Sequence, residues 1–186
     1  MIRNERNERH AHMLTVARQM MTAARTAPKG KGIDVIEIVS IDGEDIIKLS
    51  KEMERMHEEN GMKFFLRDAD NILNAEVIVL IGSRHQSQGL NCGYCGFSQC
   101  IERSQHVPCA LNTTDLGIAV GSACATAADL RVDTRVMFSA GQAAQRLGLL
   151  PDCYCVMAIP VSASSKNPFF DRKPKEESAG QDVQPK

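Results

Sequence analysis

The stretch DLGIAVGSACATAADL, residues 115–130, decides the fold prediction because it is a helix pattern built mainly from small residues. Thr113 or Thr114 can cap its N-terminus, and Asp115 suits the positive end of the helix dipole. Residues as small as Gly, Ala, Ser and Cys let neighbouring elements approach closely. We therefore predict a long central helix against which the other elements pack.

Helix and strand patterns alternate on either side of this helix. The run EVIVLIG is continuously apolar, which is typical of a strand buried on both faces, and Pro160 indicates a strand end or a sheet edge. Together the patterns predict an α+β sandwich. The predicted helices are residues 4–26, 44–60, 64–74 and 139–147, the last with Ser139 as its cap, and the predicted strands are residues 33–41, 76–82 and 153–161.

Composition limits the classes of function. The 186 residues suit one domain, and a net charge of −1 with no Trp and two Tyr gives neither the basic field nor the stacking platforms of a nucleic-acid binder. No apolar run approaches the length of a membrane span, so no membrane partner is expected. The chain after residue 172 is polar with two prolines. We therefore expect one domain over residues 1–172 and a disordered tail over residues 173–186.

Cysteine usage points to metal or redox chemistry. The first residues, MIRNERNERHAH, are charged and lack the apolar stretch of a secretory signal, so a cytoplasmic location with reduced thiols is expected. The seven cysteines are an odd count, which argues against a closed disulfide framework. Several thiols clustered in a reducing compartment favour a metal site.

The densest cluster of thiols is GLNCGYCGFSQC, residues 89–100. Glycine after a cysteine lets the backbone curl around an inorganic core and aim N–H groups at sulfur. The short spacing favours a [4Fe–4S] cluster over a [2Fe–2S] cluster. The predicted ligands follow the spacing C-x2-C-x4-C-x8-C and are Cys92, Cys95, Cys100 and Cys109.

Other interpretations of the cysteines stay open. Four thiolates also suit a structural zinc ion, although the usual second C-x2-C pair is missing, and a merely thiol-rich loop is a third interpretation. His106 could replace one ligand, but a surface histidine is the commoner outcome. Cys124, Cys153 and Cys155 lack a surrounding motif and are expected to act as small apolar residues.

Two family resemblances extend this interpretation. The motif CGYCGFSQC resembles four-iron ferredoxin-like domains, and the frame from GLNCGYCGF to FSAGQAA looks like an uncharacterised ferredoxin domain-containing family over residues 11–172. More weakly, AARTAPKGKG, the central helix, LGLLPDCYCVMAIPVS and NPFFDRKP are similar to flavin-dependent nitroreductases. The second resemblance implies a nitroreductase-like α/β sandwich with the cysteine-rich residues 84–112 as an inserted iron–sulfur loop.

The nitroreductase resemblance also implies FMN at the interface of a homodimer. The matching basic positions are Arg25 and Arg172, which would approach the flavin or its phosphate; solvated surface charge is the alternative for both. We expect an iron–sulfur redox protein, either an electron carrier or an oxidoreductase, with an unknown redox partner. The alternatives are a zinc-stabilised binding module without turnover and a flavoprotein fold that binds another nucleotide-like ligand.

Overall fold

The computed structural model of the chain describes residues 1–170 and is a sandwich with helices on both faces of one sheet. The predicted α+β sandwich with a long central helix is confirmed, whereas Arg172 and the expected tail lie outside the described residues. The helices are α1 (Glu5–Thr26), α2 (Gly43–Asn60), α3 (Lys63–Ile72), α4 (Ala110–Asp129) and α5 (Phe138–Arg146). The strands are β1 (Ile36–Ile41), β2 (Val77–Arg84), β3 (Asp133–Thr134) and β4 (Cys153–Ser162).

The sheet is antiparallel, in the order β1-β2-β4-β3. Strand β2 pairs on both sides, and its side chains alternate between two cores: Val77, Val79 and Ile81 face one, and Ile78 and Leu80 face the other. All five are fully buried. The prediction that EVIVLIG is a strand buried on both faces is therefore confirmed, with the strand running on to Arg84.

Each face of the sheet carries its own helical layer. Helices α1 and α4 cover one core, and α2, α3 and α5 cover the other. Helix α5 lies directly on β4, because a Cβ added at Gly141 would come 1.9 Å from the carbonyl oxygen of Val156. No helix in the described residues combines the length and hydropathy needed to cross a membrane.

The predicted cap of the central helix is wrong. Helix α4 begins at Ala110, with Cys109 at its N-cap position. Thr113 lies inside the helix, where its hydroxyl donates to the carbonyl of Ala110 at 2.8 Å. Asp115 is only 5% exposed, so it is a buried acceptor rather than a first-turn surface charge. The helix therefore starts immediately after the last predicted metal ligand.

Two other predicted boundaries also shift. Helix α5 begins at Phe138, and Ser139 is not its cap, because the buried Ser139 hydroxyl donates to Asp68 Oδ2 at 2.6 Å. Strand β4 continues past Pro160 to Ser162. Ala158 exchanges two backbone hydrogen bonds with Met137. Backbone directions repeat every second residue, so the nitrogen of Pro160 points to this same edge of β4, away from β2. Its missing N–H falls between this bridge and the two-residue β3.

Candidate functional site

The cysteine segment, residues 85–109, joins β2 to α4 and is almost entirely irregular, with one turn of 3-10 helix at Cys100–Glu102. Its backbone enters the left-handed region at Gly89, Asn91, Gly93 and Gly96. Glycine adopts that region without the steric penalty that a side chain brings, so the sequence pattern of glycines following cysteines makes the segment turn repeatedly.

Cys100 is held by two hydrogen bonds to Asn91. The Asn91 backbone N–H donates to Cys100 Sγ at 3.3 Å, and the Asn91 side-chain oxygen accepts from the Cys100 backbone N–H at 2.8 Å. These contacts lower the pKa of the Cys100 thiol, chiefly through the Asn91 N–H, with smaller contributions from Ser87, Leu90 and Gly89. A sulfur held by several N–H groups is suited to carry negative charge.

The other three predicted ligands differ in exposure. Cys92 is exposed, Cys95 is half-buried, and Cys109 is only 6% exposed at the start of α4. Cys109 occupies the N-cap position of α4, so its backbone is fixed by the first turn of that helix. Within residues 1–170, no three His, Cys, Asp or Glu side chains converge as a metal-binding group. The donor set fits a thiolate-bound metal by its chemistry, while the four sulfurs are not gathered around one point.

His106 lies on the surface of the cysteine segment. It is exposed, and its backbone N–H donates to the hydroxyl of Ser104 at 3.3 Å. The alternative in which His106 replaces a cysteine ligand gains no support from these contacts.

A pair of rings fastens the cysteine segment to the end of the sheet. The rings of His85 and Tyr154 lie 4.3 Å apart between centroids. His85 Nε2 and the Tyr154 hydroxyl both donate to the backbone carbonyl of Gln105. One carbonyl of the irregular segment is thus held by residues from the ends of two adjacent strands. Sequence reasoning missed this contact, since neither side chain belongs to a motif.

A cavity of about 610 Å³ opens beside this ring pair. Its volume lies in the range of small-molecule sites. Gln145 lines it, and its side-chain amide donates to the carbonyls of Cys153 and Tyr154 at 3.0 and 2.7 Å. The lining residues are Arg84, His85, Gln86, Gln145, Pro151, Asp152, Cys153 and Tyr154.

Buried Asp115 joins the loop after α1 to the cysteine segment. Both of its carboxylate oxygens accept from the Gly30 backbone N–H at 3.0 Å, and Gln88 Nε2 donates to Oδ2 at 3.4 Å. From the same loop, Lys31 Nζ donates to the Gln88 carbonyl at 3.4 Å. The loop after α1, which belongs to the stretch AARTAPKGKG, therefore abuts the first residues of the cysteine segment.

Arg25 is already engaged. Its guanidinium Nη1 donates to Asp34 Oδ2 and to the Ile36 carbonyl, each at 2.6 Å. The Arg25 guanidinium also holds the pKa of Asp34 below its usual value, against a burial effect that raises it. This ion pair neutralises the charge that a phosphate contact would use. A surface cavity of about 370 Å³ lies beside Arg25 and Arg18.

The remaining cysteines belong to the packed part of the molecule. Cys153 is 9% exposed, and burial is the main cause that raises its thiol pKa to about 11. Burial also raises the thiol pKa values of Cys124 and Cys155. All three pack against the apolar cores, as expected for cysteines used as small apolar residues.

The fold is similar to those of solved flavoproteins. A nitroreductase with bound FMN from Bacteroides fragilis aligns with a TM-score of 0.57 at 10% identity, covering 91% of this chain and 87% of that chain. A BluB-like flavoprotein from Clostridium difficile aligns with a TM-score of 0.56 at 17% identity, covering 88% and 84%. At these identities the likeness establishes a nitroreductase-like fold.

Sequence comparison identifies the family. The family described as "Uncharacterized protein containing a ferredoxin domain" (DUF2148) matches residues 105–172, a range that includes Cys109 and leaves out the other three predicted ligands. An uncharacterized protein of Archaeoglobus fulgidus is 42% identical over 185 residues, which cover 94% of this chain and 100% of that protein. The ferredoxin domain of this family supports a redox role. The chain therefore belongs to the DUF2148 family of ferredoxin domain-containing proteins.

Proposed function

We propose that this protein is an iron–sulfur redox protein, an electron carrier or an oxidoreductase, that binds a [4Fe–4S] cluster. The observation that carries the proposal is the set of backbone N–H groups around Cys100 Sγ, led by Asn91 at 3.3 Å. Cluster sulfurs in proteins accept such hydrogen bonds, which offset negative charge and raise the reduction potential. The family's ferredoxin domain supports the same cofactor.

The cluster would be held by Cys92, Cys95, Cys100 and Cys109, and it would supply one-electron transfer. The chain's own residues divide the work. Cys100 is held by the turn at Asn91, Cys109 is fixed at the buried start of α4, and Cys92 and Cys95 lie on the accessible part of the segment. Binding would require this glycine-rich part to close on the two better-held sulfurs.

The exposed rim of the cysteine segment suits an encounter with a redox partner. Tyr94 is 77% exposed and Ile101 is 88% exposed, beside the proposed ligands. Weak, transient contacts of this kind are typical of electron-transfer proteins.

The proposed architecture is one domain over residues 1–172 with residues 84–112 inserted, in a cytoplasmic homodimer where thiols stay reduced.

FMN is proposed as a second cofactor from the fold alone, since one of the similar solved structures is a nitroreductase with bound FMN. The geometry at Arg25 does not favour a phosphate contact, because Asp34 already neutralises its guanidinium. The proposed electron transfer therefore includes no step through a flavin. The presence of FMN is decided by the same measurement that tests the cluster.

The test is purification of the full chain without oxygen, followed by an absorption spectrum and by iron, sulfide, zinc and flavin analysis of one sample. A broad band at ~400 nm with iron and sulfide in equal amounts, about four each per chain, supports the cluster. FMN released from the same sample would support FMN as the second cofactor. Stoichiometric zinc without iron or sulfide would replace the redox proposal by a zinc-stabilised module, which chelation would unfold.

A further inference from the structure

A second, much smaller cavity lies under the cysteine segment, between the end of β2, the start of α4 and β4. Its volume is about 10 Å³. Roughly 10–15 Å³ suffices for one water molecule, so the cavity has room for about one. The residues on its wall that matter here are Ser83, Arg103, Cys109, Asn112 and Cys155.

Three of these wall residues bring buried polar atoms that have no hydrogen-bond partner: Ser83 Oγ, Arg103 Nε and Asn112 Oδ1. Ser83 and Asn112 are each only 2% exposed. Buried polar groups in proteins are almost always paired with protein or with ordered water, so three orphans on one cavity point to a ligand.

Two of these side chains make a hydrogen bond through another of their atoms. Arg103 Nη1 donates to the Val107 carbonyl, and Asn112 Nδ2 donates to the Gln86 carbonyl. Arg103 and Asn112 are thereby held in place, which leaves Nε as a donor and Oδ1 as an acceptor. Ser83 Oγ can act as either.

We propose that this cavity binds a single buried water molecule that accepts a hydrogen bond from Arg103 Nε and donates to Asn112 Oδ1 and Ser83 Oγ. One donor, one acceptor and one hydroxyl match the three hydrogen bonds that a buried water usually makes. The water then links the end of β2, the cysteine segment and the first turn of α4.

The site matters because Cys109 shares the same wall. Ser83 lies opposite Cys155 in the pairing of β2 with β4. Both residues line the cavity together with Cys109, so the proposed water lies between the sheet and this proposed ligand. Fixed polar groups behind a metal ligand orient it and tune the metal's reduction potential. This consequence for Cys109 rests on the proposed function, whereas the water site itself does not.

The direct test is a high-resolution crystal structure of the full chain and of its Ser83→Ala variant. The wild-type structure is expected to contain one ordered water within about 2.7–3.2 Å of all three atoms, and Ser83→Ala is expected to lose it or bind it more weakly. The matched control is Ser40→Ala on the exposed side of β1, which should keep the water. A wild-type structure with no water in the cavity, or with direct hydrogen bonds among the three side chains, overturns the proposal.

The solution test is the midpoint potential of the reconstituted protein. Loss of the polar contact behind Cys109 is expected to make reduction of Ser83→Ala less favourable by up to about tenfold, or ~59 mV for one electron, with iron content unchanged. Ser83→Thr keeps the hydroxyl and should restore much of the potential. An unchanged potential in an iron-loaded variant overturns the link to Cys109, whereas a wild-type protein that binds no iron refutes the proposed function and leaves the crystallographic test standing.

Discussion

Cys100 in the cysteine segment and Cys153 at the start of β4 have the same side chain in opposite surroundings. Around Cys100 the backbone N–H of Asn91 lowers the thiol pKa. At Cys153 burial is the main cause that raises the pKa to about 11. The surroundings therefore lower the pKa of one thiol and raise the pKa of the other.

The difference comes from what each backbone does with its N–H groups. In β4 the ladder to β2 uses the N–H groups of alternate residues, and the Cys153 N–H donates to the Leu150 carbonyl at 3.1 Å. In the cysteine segment no ladder forms, and left-handed turns at Gly89 and Asn91 leave N–H groups free to face Cys100. Irregular backbone thus makes a cysteine a candidate ligand, and regular backbone makes it a core residue.

The largest expected effect is a difference in bound iron between variants of the two cysteines. Cys100→Ala removes the best-held proposed ligand, so bound iron should fall from about four per chain to near zero. Cys153→Ala, the matched control, should keep its iron because it changes only core packing. Metal analysis of anaerobically purified variants measures both. Equal iron in the two variants would contradict the ligand assignment.

The next effect concerns the packed region. Gly141→Ala places a methyl group 1.9 Å from the Val156 carbonyl oxygen, so α5 must move away from β4. We expect a loss of about 2–4 kcal/mol in the free energy of unfolding, measured by urea denaturation.

The control for this change is Gly117→Ala in α4, where an added Cβ meets nothing within 4 Å. Alanine is the better helix former, so this variant should be neutral or more stable by up to about 1 kcal/mol. A Gly141→Ala variant as stable as Gly117→Ala would show that the helix–strand contact is not tight.

The pH dependence of stability tests the neutral thiol. The Cys153 thiol titrates near its ordinary pKa of 9.0 in the unfolded chain and at about 11 in the fold. Between these values the unfolded state binds fewer protons, so stability is fully present below pH 9 and falls as the pH rises towards 11. The expected contribution is at most about 2–3 kcal/mol.

Denaturation under reducing conditions from pH 8 upwards, compared between the wild type and Cys153→Ala, isolates this contribution. The variant should lose less stability over the interval, because the titrating thiol is gone. Parallel curves for the two proteins would mean that Cys153 titrates at its ordinary pKa.

The smallest expected effect is at the link between the two regions. Tyr154→Phe removes one of the two hydrogen bonds to the Gln105 carbonyl, which should cost about 1 kcal/mol and lower the Tm by ~2–4 °C. Tyr94→Phe alters a tyrosine that is 77% exposed and should leave the Tm unchanged. Differential scanning calorimetry compares them, and equal Tm values would contradict the fastening role.

Local pattern predicted most of the fold. Continuous apolar residues in EVIVLIG required burial on both faces, and small residues over 115–130 required a closely packed helix, as found. The pattern failed where one residue type serves two roles. Serine is a common N-cap residue, yet the Ser139 hydroxyl donates a hydrogen bond to Asp68 of α3, a residue distant in sequence.

By itself, the sequence determined the element types, the spacing of the four proposed ligands and the glycines that turn the segment between them, because these depend on neighbouring residues. Only the tertiary structure decided which groups meet: Gly30 with Asp115, Gln105 with His85 and Tyr154, and Ser83 with Asn112 and Cys109 around one small cavity. Those contacts join residues up to 85 positions apart. Their geometry is set by how helices and strands stack, which no local pattern encodes.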